Sequence, residues 1–423
     1  MNGTRTSWWD RIRPAAGLAR PVATLFWAYL LWNVGFTLYA TVWTVFVQRL
    51  GAAPAEIGLV VGAAAVGRTL LSYSAGVLAD RRSPLAVVGV SMALPVAGLL
   101  ILLVSTTWWQ ALVAAVVIEL SGLGVPALSA WLAAASPAGQ RTRAFTWVYT
   151  VAPQAALLLG PALSGMVADR LGFPAVFTAA GTFFLAAVLI VVRLGRARPD
   201  GTPVGSVTST VRAGAEPAPE GDGPAPDASI PVTVLLRPPA IRTIVLLHLL
   251  VPLLPFTGFV LLANFLVGER DVSLSLIGTL GSIGAAVGLA VSLAIARVPL
   301  LSNPFTGIAA CLGAAIAALA LLQLDGPVVV LAIAYALRAL LNPVWSFLSA
   351  ALAEVTPERR RGRVYGLAET SAGVGDVAAP LAAGGLYQVS PGLPLVVACL
   401  TTIPLAFWAV VLGRRVRRAD QAG

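Results

Sequence analysis

Charge is what this sequence has least of. Only 11% of its 423 residues are charged, none is lysine, one is histidine (His248) and two are cysteine (Cys311 and Cys399). A soluble domain carries roughly 25% charged residues. A chain that is 58% hydrophobic with a mean hydropathy of +0.87 excludes a water-soluble core, and the bilayer is the solvent for most of it. Without lysine there is no phosphate-gripping Gly-Lys loop, hence no sign of ATP use. A single histidine excludes a His-based metal centre, and both cysteines lie inside apolar runs as packing residues. No cofactor is expected. There is no nucleophile–base constellation either, so the chain is not expected to be an enzyme.

Apolar sequence in long runs is what the chain has instead. A helix crossing the hydrocarbon core needs about 20 residues. Twelve candidate spans follow: 22–48, 56–79, 85–105, 108–133, 143–168, 173–194, 240–267, 274–296, 303–323, 327–352, 363–388 and 393–413. The first run is too long for a cleaved signal and lacks a small-residue cleavage site. Trp8 and Trp9 beside Arg11 and Arg13 suit a short interfacial segment.

The net charge is +10, yet the arginines sit between apolar runs, which points to topology and not to nucleic acid. With the N-terminus in the cytoplasm, the outside segments hold only Arg49, Arg170 and Arg270, while the inside segments hold nearly all the rest. Both termini are therefore expected inside, in a multi-pass protein of the cell (inner) membrane. Residues 196–238 are rich in Pro, Gly, Ala, Ser and Thr and read as a cytoplasmic linker. The expected plan is a cytoplasmic segment 1–21, a six-helix bundle 22–195, the linker, a second bundle 239–413 and a tail 414–423.

The bundles repeat one another. Ser136-Pro137 precedes Arg141-Thr142-Arg143 before span five, and Thr356-Pro357 precedes Arg361-Gly362-Arg363 before span eleven, at equal spacing. Pro161 to Gly165 matches Pro380 to Gly384. Such duplicated bundles place a site near mid-membrane between the halves.

After span two comes Gly76-Val77-Leu78-Ala79-Asp80-Arg81-Arg82. This resembles the loop 2–3 signature of the major facilitator superfamily, G-x-L-a-D-R-x-G-R. Ser83 replaces its second Gly, Pro84 replaces the following basic residue, and the loop after span eight has lost the pattern. The resemblance implies an all-α polytopic fold of twelve transmembrane helices in two pseudo-symmetric bundles. It also implies a cytoplasmic gate motif at Gly76, Asp80 and Arg81, and spans three, six, nine and twelve at the periphery.

An ionisable group at mid-bilayer is costly unless it faces protein or water. Away from the span ends these groups are Arg68, Glu119, His248, Arg338, Glu369 and Asp376, none of them in a peripheral span. They are candidates for proton coupling or for cavity charge. Arg68 and Glu119 are a candidate pair in neighbouring spans, as are Arg338 and Asp376. Glu369 and Asp376 share a helical face, and His248 is either a protonation site or a hydrogen-bonded bystander. Trp32, Asn33, Phe36, Gln154 and Asn342 are candidate polar or aromatic cavity residues.

Ala156, Gly160-Pro161 and Gly165 resemble the span-five motif of drug–proton antiporters, with Ser164-Gly165 for the final Gly-Gly. The span-four arginine of many exporters is Ile118 here, beside Glu119, and Arg338 holds the repeat-equivalent place. The leading expectation is proton-coupled export, by a monomer, of a small, partly apolar organic compound. The alternatives are proton-coupled uptake of a sugar or organic anion, and a membrane receptor or embedded enzyme.

Overall fold

The structure is a computed structural model. It describes residues 18–81, 83–137, 140–196, 235–295, 303–356 and 361–422, with side chains except at 68–81, 295, 361–362 and 415–422. The gate motif side chains, the Arg68 side chain, most of the N-terminal segment and of the linker, and most side chains of the tail therefore lie outside the described residues.

Twelve helices cross the molecule in antiparallel succession. In chain order they are α1 Arg20–Arg49, α2 Pro54–Arg81, α3 Pro84–Val104, α4 Trp108–Ala135, α5 Arg141–Leu171, α6 Phe173–Arg196, α7 Pro239–Arg270, α8 Leu274–Ile295, α9 Pro304–Leu321, α10 Val328–Val355, α11 Arg361–Val389 and α12 Leu393–Ala422. Among the described residues, ten of them are long and apolar enough to span a membrane. The other two are α2, whose described apolar part is Pro54–Gly67, and α11, which carries Glu369 and Asp376. All twelve expected spans are present, with ends mostly within a few residues.

The termini of these helices obey local rules. Proline occupies the first turn of α1, α3 and α9, where its missing N–H costs nothing. Asn303 caps α9 by accepting from Phe305 and Thr306 amides at 3.0 and 3.2 Å. The tight turn after α5 places Gly172 at φ 81°, a conformation that favours glycine.

Several helices are interrupted. α4 runs regularly over Trp108–Glu119, tightens into a 3-10 turn at Leu120–Gly124, and resumes at Val125–Ala135. α10 runs over Val328–Ala339, breaks, and resumes at Val344–Val355. Proline explains both breaks. Pro126 stands just after the first and Pro343 is the last residue of the second, and each removes a ladder hydrogen bond and crowds the carbonyl four residues back. α7 breaks between Phe259 and Leu262, and α5 carries a π turn at Trp147–Val151.

Packing within each half follows one scheme. α1 packs on α5 and α6, α3 on α4 and α6, and α2 on α4. Adding six to each number gives pairs that also form: α7 on α11 and α12, α9 on α10 and α12, and α8 on α10. The duplication expected from two short sequence matches therefore extends to every major contact. The peripheral helices α3, α6 and α12 expose large apolar side chains such as Val90, Leu100, Leu189 and Phe407. A lipid-facing belt has that composition.

The halves meet along two seams, α5 against α8 and α11 against α2. Each repeats the same chemistry. A Cβ on Gly278 or Gly165 would collide with the carbonyl oxygens of Pro161 or Leu274; a Cβ on Gly58 would collide with the oxygen of Pro380. A Cβ on Gly384 would stand 2.6 Å from the oxygen of Pro54. The paired Pro…Gly motifs of α5 and α11 are thus the surfaces on which the opposite bundle rests. These contacts lie toward the end of the molecule away from the termini, called the far end below.

Candidate substrate cavity

A cavity of about 670 Å³ lies between the halves. Its walls come from α1, α2 and α5 on one side and α7, α8 and α10 on the other. Small residues on α8 (Gly281, Gly284, Ala285) make room for it, and Thr37, Thr41 and Thr44 give α1 a row of hydroxyls along it. Two of those hydroxyls are occupied, Thr37 with the carbonyl of Val34 at 3.0 Å and Thr41 with that of Thr37 at 2.7 Å. The remaining surface is mostly apolar, with aromatic rings from Phe36, Trp43, Phe256, Phe259 and Tyr335.

Asn33, Phe36, Arg338 and Asn342, all singled out in the sequence, meet in this cavity. Asn33 is mostly buried and donates to the Tyr29 carbonyl at 2.7 Å, so its amide is fixed by its own helix. Asn342 stands exposed in the break of α10. Arg338 ends the first segment of α10, roughly 15 Å along a span of roughly 42 Å at 1.5 Å per residue. Its guanidinium carbon lies 5.2 Å from the centre of the Phe259 ring and 5.7 Å from that of Tyr335. The carbonyl-rich end of a helix segment also favours a cation there. The expected pairing of Arg338 with Asp376 is not formed among the described residues. The break in α10 directs the arginine toward rings on α7 and α10, and Asp376 sits on α11, one residue from where Val377 approaches Gly62 of α2.

A second, smaller cavity of about 190 Å³ lies inside the first half, between α1, α3 and α4. Glu119, Trp32 and Phe36 line it, with Tyr29, Ser91 and Met92. Trp32 stacks between Tyr29 and Phe36, with ring centres 5.9 and 5.6 Å apart and planes within 5° and 10° of parallel. Its buried indole N–H has no hydrogen-bond partner among the described residues. Phe36 lines both cavities and so forms part of the partition between them.

Glu119 and Asp376 are each engaged in a polar or electrostatic interaction. α2 does run beside α4 at the depth of Arg68, since a Cβ on Gly67 would stand 3.5 Å from Val116. His248 is buried, with Nδ1 2.8 Å from the Ile244 carbonyl of its own helix, and it lines neither cavity. Gln154 is half-buried on α5, where its neighbour Pro153 is the one that lines the cavity. Glu369 is exposed on α11.

Sequence reasoning misses several residues here. Phe256, Phe259 and Tyr335 read as ordinary apolar filling, although Tyr335 precedes Arg338 by three residues and so shares its helical face. It also misses two bonds that cross between the halves. Asp169, at the end of α5, accepts from the amides of Leu274 and Ser275 at 3.2 and 2.7 Å, capping α8. Asn264 of α7, almost fully buried, donates to the Thr44 carbonyl at 3.0 Å and to Gln48 Oε1 at 2.8 Å on α1. Their signal is faint: a carboxylate that caps a helix start 105 residues further along the chain has no fixed sequence spacing.

The arrangement is a membrane-depth cavity at the junction of two duplicated bundles, and the chain itself matches the major facilitator superfamily over residues 25–341. The chain belongs to the major facilitator superfamily. It is a multi-pass membrane transporter and not an enzyme. No functionally curated protein matches it in sequence. Its fold is similar to that of a bacterial homologue of the human lysosomal transporter Spinster, in an inward-facing and occupied conformation. That likeness has TM-score 0.68 and 14% identity, covering 93% of this chain and 96% of that one. The nucleoside transporter NupG matches with TM-score 0.65 and 14% identity over 93% and 99% of the two chains. PepTSo, of the POT family, matches with TM-score 0.68 and 14% identity over 95% and 98%. At such identities the likeness speaks for the superfamily fold alone.

Proposed function

We propose that this superfamily member is a proton-coupled secondary transporter that exports a small, partly apolar organic compound by alternating access. One observation carries the reading: a cavity of about 670 Å³, mainly aromatic and apolar with a few polar groups, lies where the two bundles meet. Organic ligands typically occupy cavities of roughly 300–1,000 Å³ with that kind of lining.

With both termini in the cytoplasm of an inner-membrane protein, the far end faces outward. The two glycine seams and the Asp169 and Asn264 bonds then close the outer side, which suits an inward-facing state. Rocking of one bundle on the other would exchange these contacts for others at the cytoplasmic ends. Glu119 and Asp376 are the proposed proton carriers. Protonation would release each from its present electrostatic interaction and shift the balance between the two states. The export direction draws on the Gly160-Pro161 and Gly165 motif of α5, which packs at a seam. Uptake would use the same cavity in reverse.

The test is flux in proteoliposomes under an imposed pH gradient, with the protein in known orientation. Accumulation of an amphipathic compound on the acidic outer side supports proton-driven export. Accumulation with the proton flow selects uptake, and gradient-independent flux removes the coupling.

A further inference from the structure

We infer that the transported molecule bears an anionic group (carboxylate, sulfonate or phosphate) and that Arg338 seats it in the central cavity. This rests on the transport reading above and adds to it the chemical class of the cargo.

Four observations converge on Arg338. It lines the cavity between the halves about a third of the way along α10, mostly buried. Its guanidinium takes no carboxylate partner and donates no hydrogen bond to any acceptor among the described residues; its contacts are the ring faces of Phe259 and Tyr335. Aromatic rings leave the five N–H donors of the guanidinium available to an incoming acceptor, and Arg binds carboxylate or phosphate with two parallel hydrogen bonds. Finally, the repeat shows that the fold does not need a cation here. The equivalent position on α4 is Ile118, fully buried and apolar, packed against Gly98. A cation held at membrane depth without a counter-charge is expensive, and a bound anion supplies that counter-charge.

The rest of the cavity suits an amphipathic anion. Trp43, Phe256 and Phe36 offer apolar surface, while Asn342 and Asn33 are the amides beside it. The volume admits a body of two or more fused or linked rings.

The test is binding by the purified full-length protein in detergent. The probes are 2-naphthoate and 2-naphthalenesulfonate, with 2-naphthamide as neutral and 2-naphthylmethylamine as cationic isostere. At least one anion is expected to bind tenfold or more tightly than both isosteres, with affinity falling as salt rises. Arg338→Ala and Arg338→Lys are each expected to lose tenfold or more for the anion and to leave the weak amide binding unchanged. Lysine keeps the charge but loses the planar fork and the ring stacking. Melting temperature and elution volume of both variants report whether the fold survives, and Arg338→Gln serves if either fails. Binding that ignores charge, variants that hold the anion as tightly as the parent, or failure of both anions to bind would each overturn the inference. Loss of pH-driven flux with intact anion selectivity would instead remove only the coupling mechanism.

Discussion

Asp169 gives two acceptor oxygens to the first amides of α8, groups that a helix start otherwise leaves without partners. Removing them by Asp169→Ala costs about 1 kcal/mol, the usual worth of a helix cap. If that cost falls only on the state with the far end closed, the population ratio shifts about fivefold toward the open one. Spin-label distances across the far end, between α5 and α8, would read the shift; an unchanged distribution would assign the bond no part in gating. At the same scale, Asp376→Asn removes a titratable proton while keeping shape. Proton-linked flux should vanish with the fold intact, and undiminished gradient-driven flux would reject Asp376 as a carrier. Glu119→Gln makes the parallel test in the first half. His248, bonded to its own helix, predicts the contrast: His248→Asn should leave the pH dependence of transport where it was.

At the scale of the element, the seams are where small residues matter. Valine at Gly58 or Gly278 would place branched carbon against a backbone carbonyl that cannot move aside. Overpacking of this kind costs roughly 1–3 kcal/mol, here charged to closing the far end. Accessibility of a single cysteine at a far-end position to a membrane-impermeant thiol reagent should rise in either variant. Equal labelling would mean that the seam tolerates the bulk. The helices themselves are largely legible in the sequence, because a span needs an unbroken apolar run whatever it packs against. Their interruptions are less so. Pro126 and Pro343 are visible, but whether a proline kinks or breaks a helix depends on what neighbouring helices do with the freed carbonyls. The π turn in α5 carries no sequence signal that separates it from regular helix.

For the molecule as a whole, the six-plus-six plan predicts that the halves are separable units. Co-expression of residues 1–215 with residues 216–423 should restore transport, since each half contains its own packing scheme and the seams need no covalent link. Flux no greater than in empty vesicles, with both pieces inserted, would contradict this. The cavity is legible only in part. Arg338, Asn33 and Asn342 stand out because polar groups within membrane spans are rare and have to face something polar. Phe256, Phe259 and Tyr335 do not, because an aromatic ring is equally at home against lipid, core or ligand. Which of these faces it meets depends on how each helix is rotated within its half, and one sequence does not encode that at readable spacing.

The duplication is imperfect in one place with a mechanical outcome. Where α8 begins with Leu274, whose amide Asp169 holds, α2 begins with Pro54, which has no N–H to offer, and Gln388 stands where Asp169 would. Among the described residues, then, hydrogen bonds bolt one side of the closed end, and close packing joins the other. Opening should start as a swing, with the α2–α11 side parting first while α5 and α8 act as the hinge post.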